Sequence, residues 1–303
     1  MILHYLKVAV RSLLKYRIQS LMSAVGVAAG FVCFALSMIW IRYELTYDNF
    51  HRGADRIYMV CGKSIFAKDG YSHYQAYPLA DEIRKTYPEV EDVAAFWHRT
   101  MFVEVEGKKF EKKVTTTDLA FIHMFDVRLL EGSWSFLQST EEVAITEEAA
   151  LNLFGTREVL GKTLKIGKDE REVVAIIAGW SKHSNIGYDI VDGVKEEDMN
   201  WNSGIFTVCY RLREGVDVGA FAEKMEKHDF NPHDGVFAKN LRQEKLTRCH
   251  YTLLRNENDV ALTYVQLFAT VGALVILMAL INYFSLMVTR IRIRTRELGL
   301  RVV

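Results

Sequence analysis

Residues 18–41 read IQSLMSAVGVAAGFVCFALSMIWI, and residues 260–289 read VALTYVQLFATVGALVILMALINYFSLMVT. Neither stretch holds a charged side chain over its 24 or 30 residues. Each is closed by charge, Arg17 and Arg42 around the first and Asp259 and Arg290 around the second. A bilayer core about 30 Å thick takes roughly 20 helical residues to cross. Each run is therefore long enough to span a membrane and too uninterrupted for an ordinary core helix. The second would extend about 45 Å as one helix, so it is expected to tilt or to protrude at one end.

Charge sets the expected orientation. Residues 1–17 carry Lys7, Arg11, Lys15 and Arg17 with no acid, a charge of +4. Residues 290–303 carry five Arg against Glu297, again +4. Residues 42–259 hold 29 basic and 37 acidic side chains, a net charge of −8 that the zero total of the 303-residue chain hides. Lys and Arg collect on cytoplasmic flanks, so both termini are expected inside and the acidic middle outside. In a bacterial cell that places the chain in the inner membrane and its middle in the periplasm. A cleaved signal peptide fits poorly, because a 24-residue run exceeds an h-region of about 7–15 residues and Ser37-Met38-Ile39-Trp40 offers no small-residue cleavage site. The acidic surface argues against nucleic acid as a partner.

The middle has 218 residues, no low-complexity linker, and only Pro78, Pro88 and Pro232 as prolines. It reads as an α+β domain held between the two spans, divided into two α+β subdomains. Residues 56–60 are strand-like. Residues 79–87 form a helix with Leu79, Ile83 and Tyr87 on one face and Pro88 beyond it. Met101, Val103 and Val105 alternate into a Glu106-Gly107 turn and a strand over 110–114. Asp118 caps a short helix. A strand over 143–145 leads to a helix capped by Thr146 and ended by Gly155. Residues 164–166 and 173–177 make a hairpin around Gly167, residues 205–212 a strand, and Asp217 caps a helix bearing Phe221 and Met225. Residues 250–254 read as a last strand. Of the cysteines, Cys33 sits in the first span, while Cys61, Cys209 and Cys249 allow at most one disulfide, whose pairing the spacing leaves open.

Little of this carries catalytic chemistry. Gly155 to Lys162-Thr163 imitates a phosphate-binding P-loop, but five residues separate Gly155 from Gly161 where the motif needs four, and the segment follows a helix instead of a strand. His228, Asp229, His233 and Asp234 are dense in metal-ligating types, yet Asn231-Pro232 breaks any helical ligand spacing, so a polar loop is the plainer reading. No cofactor, metal site or catalytic residue is expected. Residues 2–16 place Leu3, Leu6, Val10 and Leu13 at helical spacing, either as an interfacial helix or as an extension of the first span. Gly26 and Gly30 form a small-xxx-small pair that permits close helix packing. Asn282 offers either an interhelical hydrogen bond or an interfacial contact.

Arg290 through Arg296 anchor the end of the second span to lipid headgroups. They are followed by Glu297-Leu298-Gly299-Leu300-Arg301, a small amphipathic element on which a cytoplasmic partner could dock. Asn282-Tyr283-Phe284 through Thr295-Arg296-Glu297-Leu298-Gly299-Leu300-Arg301 resembles the end of the second-span region of the MacB/FtsX-type ABC transporter permeases. That region carries an R-x-x-E-[IL]-G-[ILV]-R element. Three other stretches add to the likeness. Tyr43 to His51, with Asp55-Arg56-Ile57-Tyr58, resembles the opening of the MacB-like periplasmic core domain. Val143 to Gly155, with Gly161-Lys162-Thr163-Leu164, resembles that domain's strand–helix–FG–GKTL segment, and Val173 to Gly179 its following strand.

The resemblance implies a permease that pairs with a separate ATP-binding subunit at the cytoplasmic face. Arg296, Glu297, Leu298, Gly299, Leu300 and Arg301 would approach that subunit, and a second permease copy would complete a dimer. A periplasmic adaptor or client is a further implied partner, besides the membrane lipid itself. ATP hydrolysis would reside in the other subunit, and its motion would pass through the spans to the periplasmic domain. The family pattern has four spans, and this chain shows two. A different reading of the same features is a two-span extracytoplasmic sensor or scaffold with no ATPase partner.

Overall fold

A computed structural model describes residues 17–64, 70–228, 230, 238, 240–252 and 262–299. The chain divides into two compact units, one made of residues 1–45 with 260–303 and the other of residues 46–259. The readings placed on residues 2–16 and on Asp229, His233 and Asp234 lie outside the described residues.

The first unit holds helices α1 (Arg17–Leu45) and α7 (Leu262–Gly299). Each contains a window long and apolar enough to cross a membrane, Ala24–Leu45 and Thr263–Ser285, with only 6% and 11% of those windows buried. A core helix of a soluble protein would bury most of such a surface, so these helices present it to something outside the protein.

The second unit is a mixed sheet in the order β12-β1-β11-β4-β5-β10-β7-β9-β6. The strands on this path are β1 (Ile57–Lys63), β4 (Val90–Val105), β5 (Lys108–Thr117), β6 (Leu129–Gly132), β7 (Glu142–Thr146), β9 (Asp169–Ile177), β10 (Ile190–Gly193), β11 (Phe206–Leu212) and β12 (Arg242–Lys245). Short strands β2 (Tyr71–Ser72) and β3 (Tyr74–Gln75) pair with β1 and β11, and β8 (Thr163–Ile166) bridges β4 and β9. The pairs β5/β10 and β7/β9 are parallel, and the remainder are antiparallel. The long β4–β5 hairpin turns through Glu106 and Gly107, both at positive φ (50° and 77°), as a two-residue primed turn requires. Helices α2 (Leu79–Thr86), α3 (Leu119–Met124), α4 (Glu147–Phe154), α5 (Val218–Lys227) and α6 (Leu246–Thr252) complete the unit.

Period-2 alternation explains how the sheet is covered on both faces at its β1/β11/β4 end. Tyr58, Val60, Val93, Ala95, Phe206, Val208 and Tyr210 face one core with Leu79, Ile83, Phe221 and Met225. Ile57, Met59, Ala94, Phe96 and Cys209 face the other, with Phe121, Phe125, Leu246 and Cys249. A third core packs Ala149, Ala150 and Leu153 of α4 against Val143, Ile145 and Val173. Asp118 and Thr146 accept hydrogen bonds from the first-turn amides of their helices, and Gly155 ends α4 in the left-handed region.

The expectation of a strand over 250–254 is corrected: residues through Thr252 belong to helix α6. Leu246, Cys249 and His250, at i, i+3 and i+4, are all buried on one helical face, and that periodicity outweighs the strand propensity of the Tyr251-Thr252 pair.

Two glycines separate backbone strain from crowding. Gly132 and Gly155 both have positive φ, 88° and 70°. A Cβ at Gly132 would lie 2.0 Å from the Val174 carbonyl oxygen, whereas one at Gly155 would meet nothing within 4 Å. Gly155→Ala should cost about 1–2 kcal/mol from conformation alone. Gly132→Ala should cost about 4 kcal/mol or more, because the β6–β9 pair must also separate. Thermal unfolding of both variants checks this ordering.

Candidate functional site

The chain that follows α1 enters the second unit at Thr46 and is held there by residues remote in sequence. Asp48 is fully buried and sits at φ 58°, a left-handed conformation that Asp tolerates better than most residues. Its carboxylate accepts hydrogen bonds from the Ser184 hydroxyl, from the Asn185 amide N–H at 3.2 Å and from Asn185 Nδ2 at 2.8 Å. Its own amide donates to the His183 carbonyl at 3.3 Å. His51, one turn on, places Nε2 3.6 Å from Asp48 Oδ1. His51 Nε2 is buried with no hydrogen-bond partner among the described residues.

Two further contacts close the shell. Because Asn185 Nδ2 donates to Asp48, Asn185 Oδ1 accepts from His250 Nδ1–H at 2.7 Å, which fixes a proton on that ring nitrogen. Tyr47 stacks on His250 with centroids 3.6 Å apart at 5°, and lies 4.1 Å from His183, tilted at 41°. Thr46 Oγ1 is hydrogen-bonded to His183 Nε2 at 3.1 Å. His51 is edge-on to Trp180 (4.7 Å) and to Phe125 (5.0 Å), which carries the contact into the aromatic core of Phe96 and Phe121. Segment 46–51, loop 180–185 and α6 are thus one hydrogen-bonded and stacked body.

Within the first unit, α1 and α7 run antiparallel. A Cβ at Gly30 would lie 3.0 Å from Ala279 Cβ and 3.6 Å from Val275, and one at Gly272 would lie 3.3 Å from Ser37 Cβ. Trp40 packs on Phe268 at 4.7 Å. The α7 contact residues 268, 272, 275 and 279 step by four, three and four, the spacing of a coiled-coil seam. Small residues at the crossings let the backbones approach where lipid supplies no hydrophobic drive.

Gly26 lies one turn before Gly30 and is half-buried. Asn282 lies in α7, as do Arg296, Glu297, Leu298 and Gly299, while Leu300 and Arg301 are outside the described residues. The P-loop imitation is a helix end and a turn: Gly155 N–H bonds to Leu151, Gly161 N–H to Val173, and Lys162 rests over the Phe154 ring. His228, the described member of the His/Asp group, packs edge-on to Tyr87. No group of three or more metal-binding side chains occurs among the described residues. All four cysteines are unpaired. Burial pushes the Cys61 thiol up to about 12, and those of Cys209 and Cys249 well above the ordinary value, so none supplies a thiolate nucleophile near neutral pH.

The sequence patterns missed Ser184, Asn185, His183, Trp180 and His250. Only the polar run His183-Ser184-Asn185 hinted at them, and a polar run ordinarily marks a solvated loop.

The architecture is an α+β domain carried between two helices of membrane-crossing length. The MacB-like periplasmic core domain family matches residues 20–228, and the chain belongs to it. The MacB/FtsX-type likeness of the sequence motifs agrees with this. With the two exposed apolar helices, that membership makes the chain an inner-membrane protein. No curated protein matches the chain. Among solved structures, a domain assigned to a permease protein from Porphyromonas gingivalis is similar at 22% identity and TM-score 0.54, over 64% of this chain and 92% of that one. The periplasmic region of MacB from Actinobacillus actinomycetemcomitans is similar at 14% identity and TM-score 0.48, covering 63% and 89%. The extracellular domain of the noncanonic ABC-type transporter YknZ from Gram-positive bacteria follows at 12% and 0.44, covering 55% and 88%.

Removing the Asp48 carboxylate strands three donors in a buried site. Asp48→Ala is expected to lower stability by about 3 kcal/mol. Asp48→Asn should lower it less, since Asn keeps one acceptor oxygen and tolerates the left-handed backbone; denaturant unfolding of the full chain in detergent reads this order. For the helix pair, a Ser37→Cys/Gly272→Cys double variant in a Cys33→Ser background should cross-link on mild oxidation in membranes, because its Cβ separation is close to the roughly 3.5–4.5 Å of a disulfide. Failure to cross-link would show that the seam is not adopted there.

Proposed function

We propose that this chain is the permease subunit of an ABC transporter of the MacB/FtsX type, and that it carries motion from a cytoplasmic ATPase to its periplasmic domain. Its termini lie in the cytoplasm and residues 42–259 in the periplasm, an orientation supported by the +4 flanks outside each run and the −8 charge between them. The observation that carries the reading is the Asp48 body. The first residues after α1 are locked by hydrogen bonds and ring stacking to a loop more than 130 residues away and to α6, so a displacement of segment 46–51 moves the domain as a unit. A flexible tether would lose the same displacement in backbone rotation.

At the other end, Arg296 through Arg301 form the docking element for a separate ATP-binding subunit. Its Leu298 and Leu300 give an apolar contact flanked by Arg and Glu297. A second permease copy completes the assembly, with membrane lipid around the helices and a periplasmic adaptor or client at the domain. Membership in the family and the apolar helix pair support this arrangement.

Affinity purification of the full chain from its native membranes, with co-purifying ATP-binding subunits identified by mass spectrometry, tests the reading. Glu297→Arg and Gly299→Trp should each reduce the bound ATPase at least tenfold while membrane insertion stays at the wild-type level. Association unchanged in both variants removes the docking assignment. Absence of any ATPase partner for the wild-type chain removes the permease reading.

A further inference from the structure

A cavity of about 360 Å³ opens against the sheet face beside the Asp48 body. Its floor is made by β1, β11, β4 and β5, and the His73-Tyr74 pair, Tyr47, Asn185 and His250 also line it. The size matches a small organic molecule. Three features define what fits.

Charge is the first. None of the fourteen lining residues is Asp or Glu, whereas Lys113, Lys182, His73, His98 and His250 are present, and of the two lysines Lys182 is already ion-paired with Glu148 at 2.7 Å. This occurs in a segment with a net charge of −8, where a random patch would carry more acid than base. The buried carboxylate of Asp48 stands behind Ser184 and Asn185, which consume its acceptor capacity. The second feature is flat rings: Tyr47 stacked on His250 at 3.6 Å, and His73 against Tyr74 at 4.1 Å. The third is rigidity. His98 is tied to Thr115 Oγ1 at 3.0 Å, and His250 is tied to Asn185, so the imidazoles are positioned before anything binds.

We infer that this cavity is a binding site for a small organic anion with a planar ring, the anionic group facing His98 and Lys113 and the ring lying against the aromatic lining. Because Tyr47, Asn185 and His250 belong both to the cavity wall and to the Asp48 body, occupancy would bear directly on the segment that follows α1. The inference does not depend on an ATPase partner and stands or falls separately from the permease reading.

The test is calorimetric titration of the full chain, in phosphatidylcholine nanodiscs, with phenyl phosphate as the probe. Saturable one-to-one binding is expected. It should weaken at least tenfold in His98→Leu and in Lys113→Glu, and stay within twofold of wild type in Lys162→Glu, which makes the same charge change away from the cavity. Thr100→Trp, an exposed substitution at the lining, should block binding without disturbing the core, and serves if His98→Leu does not fold. Inorganic phosphate and benzyl alcohol should each bind at least tenfold more weakly than phenyl phosphate. The inference is overturned if phenyl phosphate shows no saturable binding, if Thr100→Trp and Lys113→Glu bind like wild type, or if either half-ligand binds as tightly as the whole.

Discussion

A carboxylate without water must find its hydrogen bonds in the protein, and Asp48 finds them in a loop that begins more than 130 residues later. That requirement organises this region of the molecule. Leaving Asp48 unsatisfied in its fully buried position would cost several kcal/mol, so segment 46–51 and loop 180–185 cannot separate without breaking the whole shell. The left-handed backbone at Asp48 lies in the first residues of the second unit, and the side chain at that same residue secures it. The ring contacts of Tyr47 and His51 extend this polar knot into the aromatic core.

The two units use different physics to the same end. In the sheet domain, alternation places apolar side chains on both faces of β1, β4 and β11, and helices cover each face. Burial of apolar area from water does the work there. Between α1 and α7 the decisive quantity is backbone approach, because lipid tails are as apolar as leucine. Gly30 and Gly272 therefore sit at the crossings, where larger side chains would hold the helices apart. A seam with four-three spacing suits two helices that move as a pair.

Imidazoles and thiols are placed differently in this domain. Cys61, Cys209 and Cys249 are buried, unpaired and held protonated by desolvation, so they act as small core side chains. His98 and His250 are instead oriented by side-chain oxygens and line a cavity. Residues rich in potential chemistry thus divide by location, which no count of His or Cys reveals.

Much of the fold was legible in the sequence because its signals are local. An uncharged run of 24 residues, Asp118 and Thr146 before helices, Gly155 after one, and Glu106-Gly107 between alternating strands each act over one turn or one hairpin. The family motif from Tyr43 to His51 could likewise be recognised, but nothing local explains why it needs Asp48 and His51. That reason lies in Ser184, Asn185, Trp180 and His250. Helix α6 was misread for the same cause: its pattern is short, and burial of Leu246, Cys249 and His250 against the sheet decides it. By itself the sequence determined the two apolar helices of membrane-crossing length, their flanking charge and the α+β class of what lies between. Only the tertiary structure decided the sheet order, the partners of Asp48 and the acid-free cavity, because each depends on hydrogen bonds and packing between segments that the chain separates by a hundred residues or more.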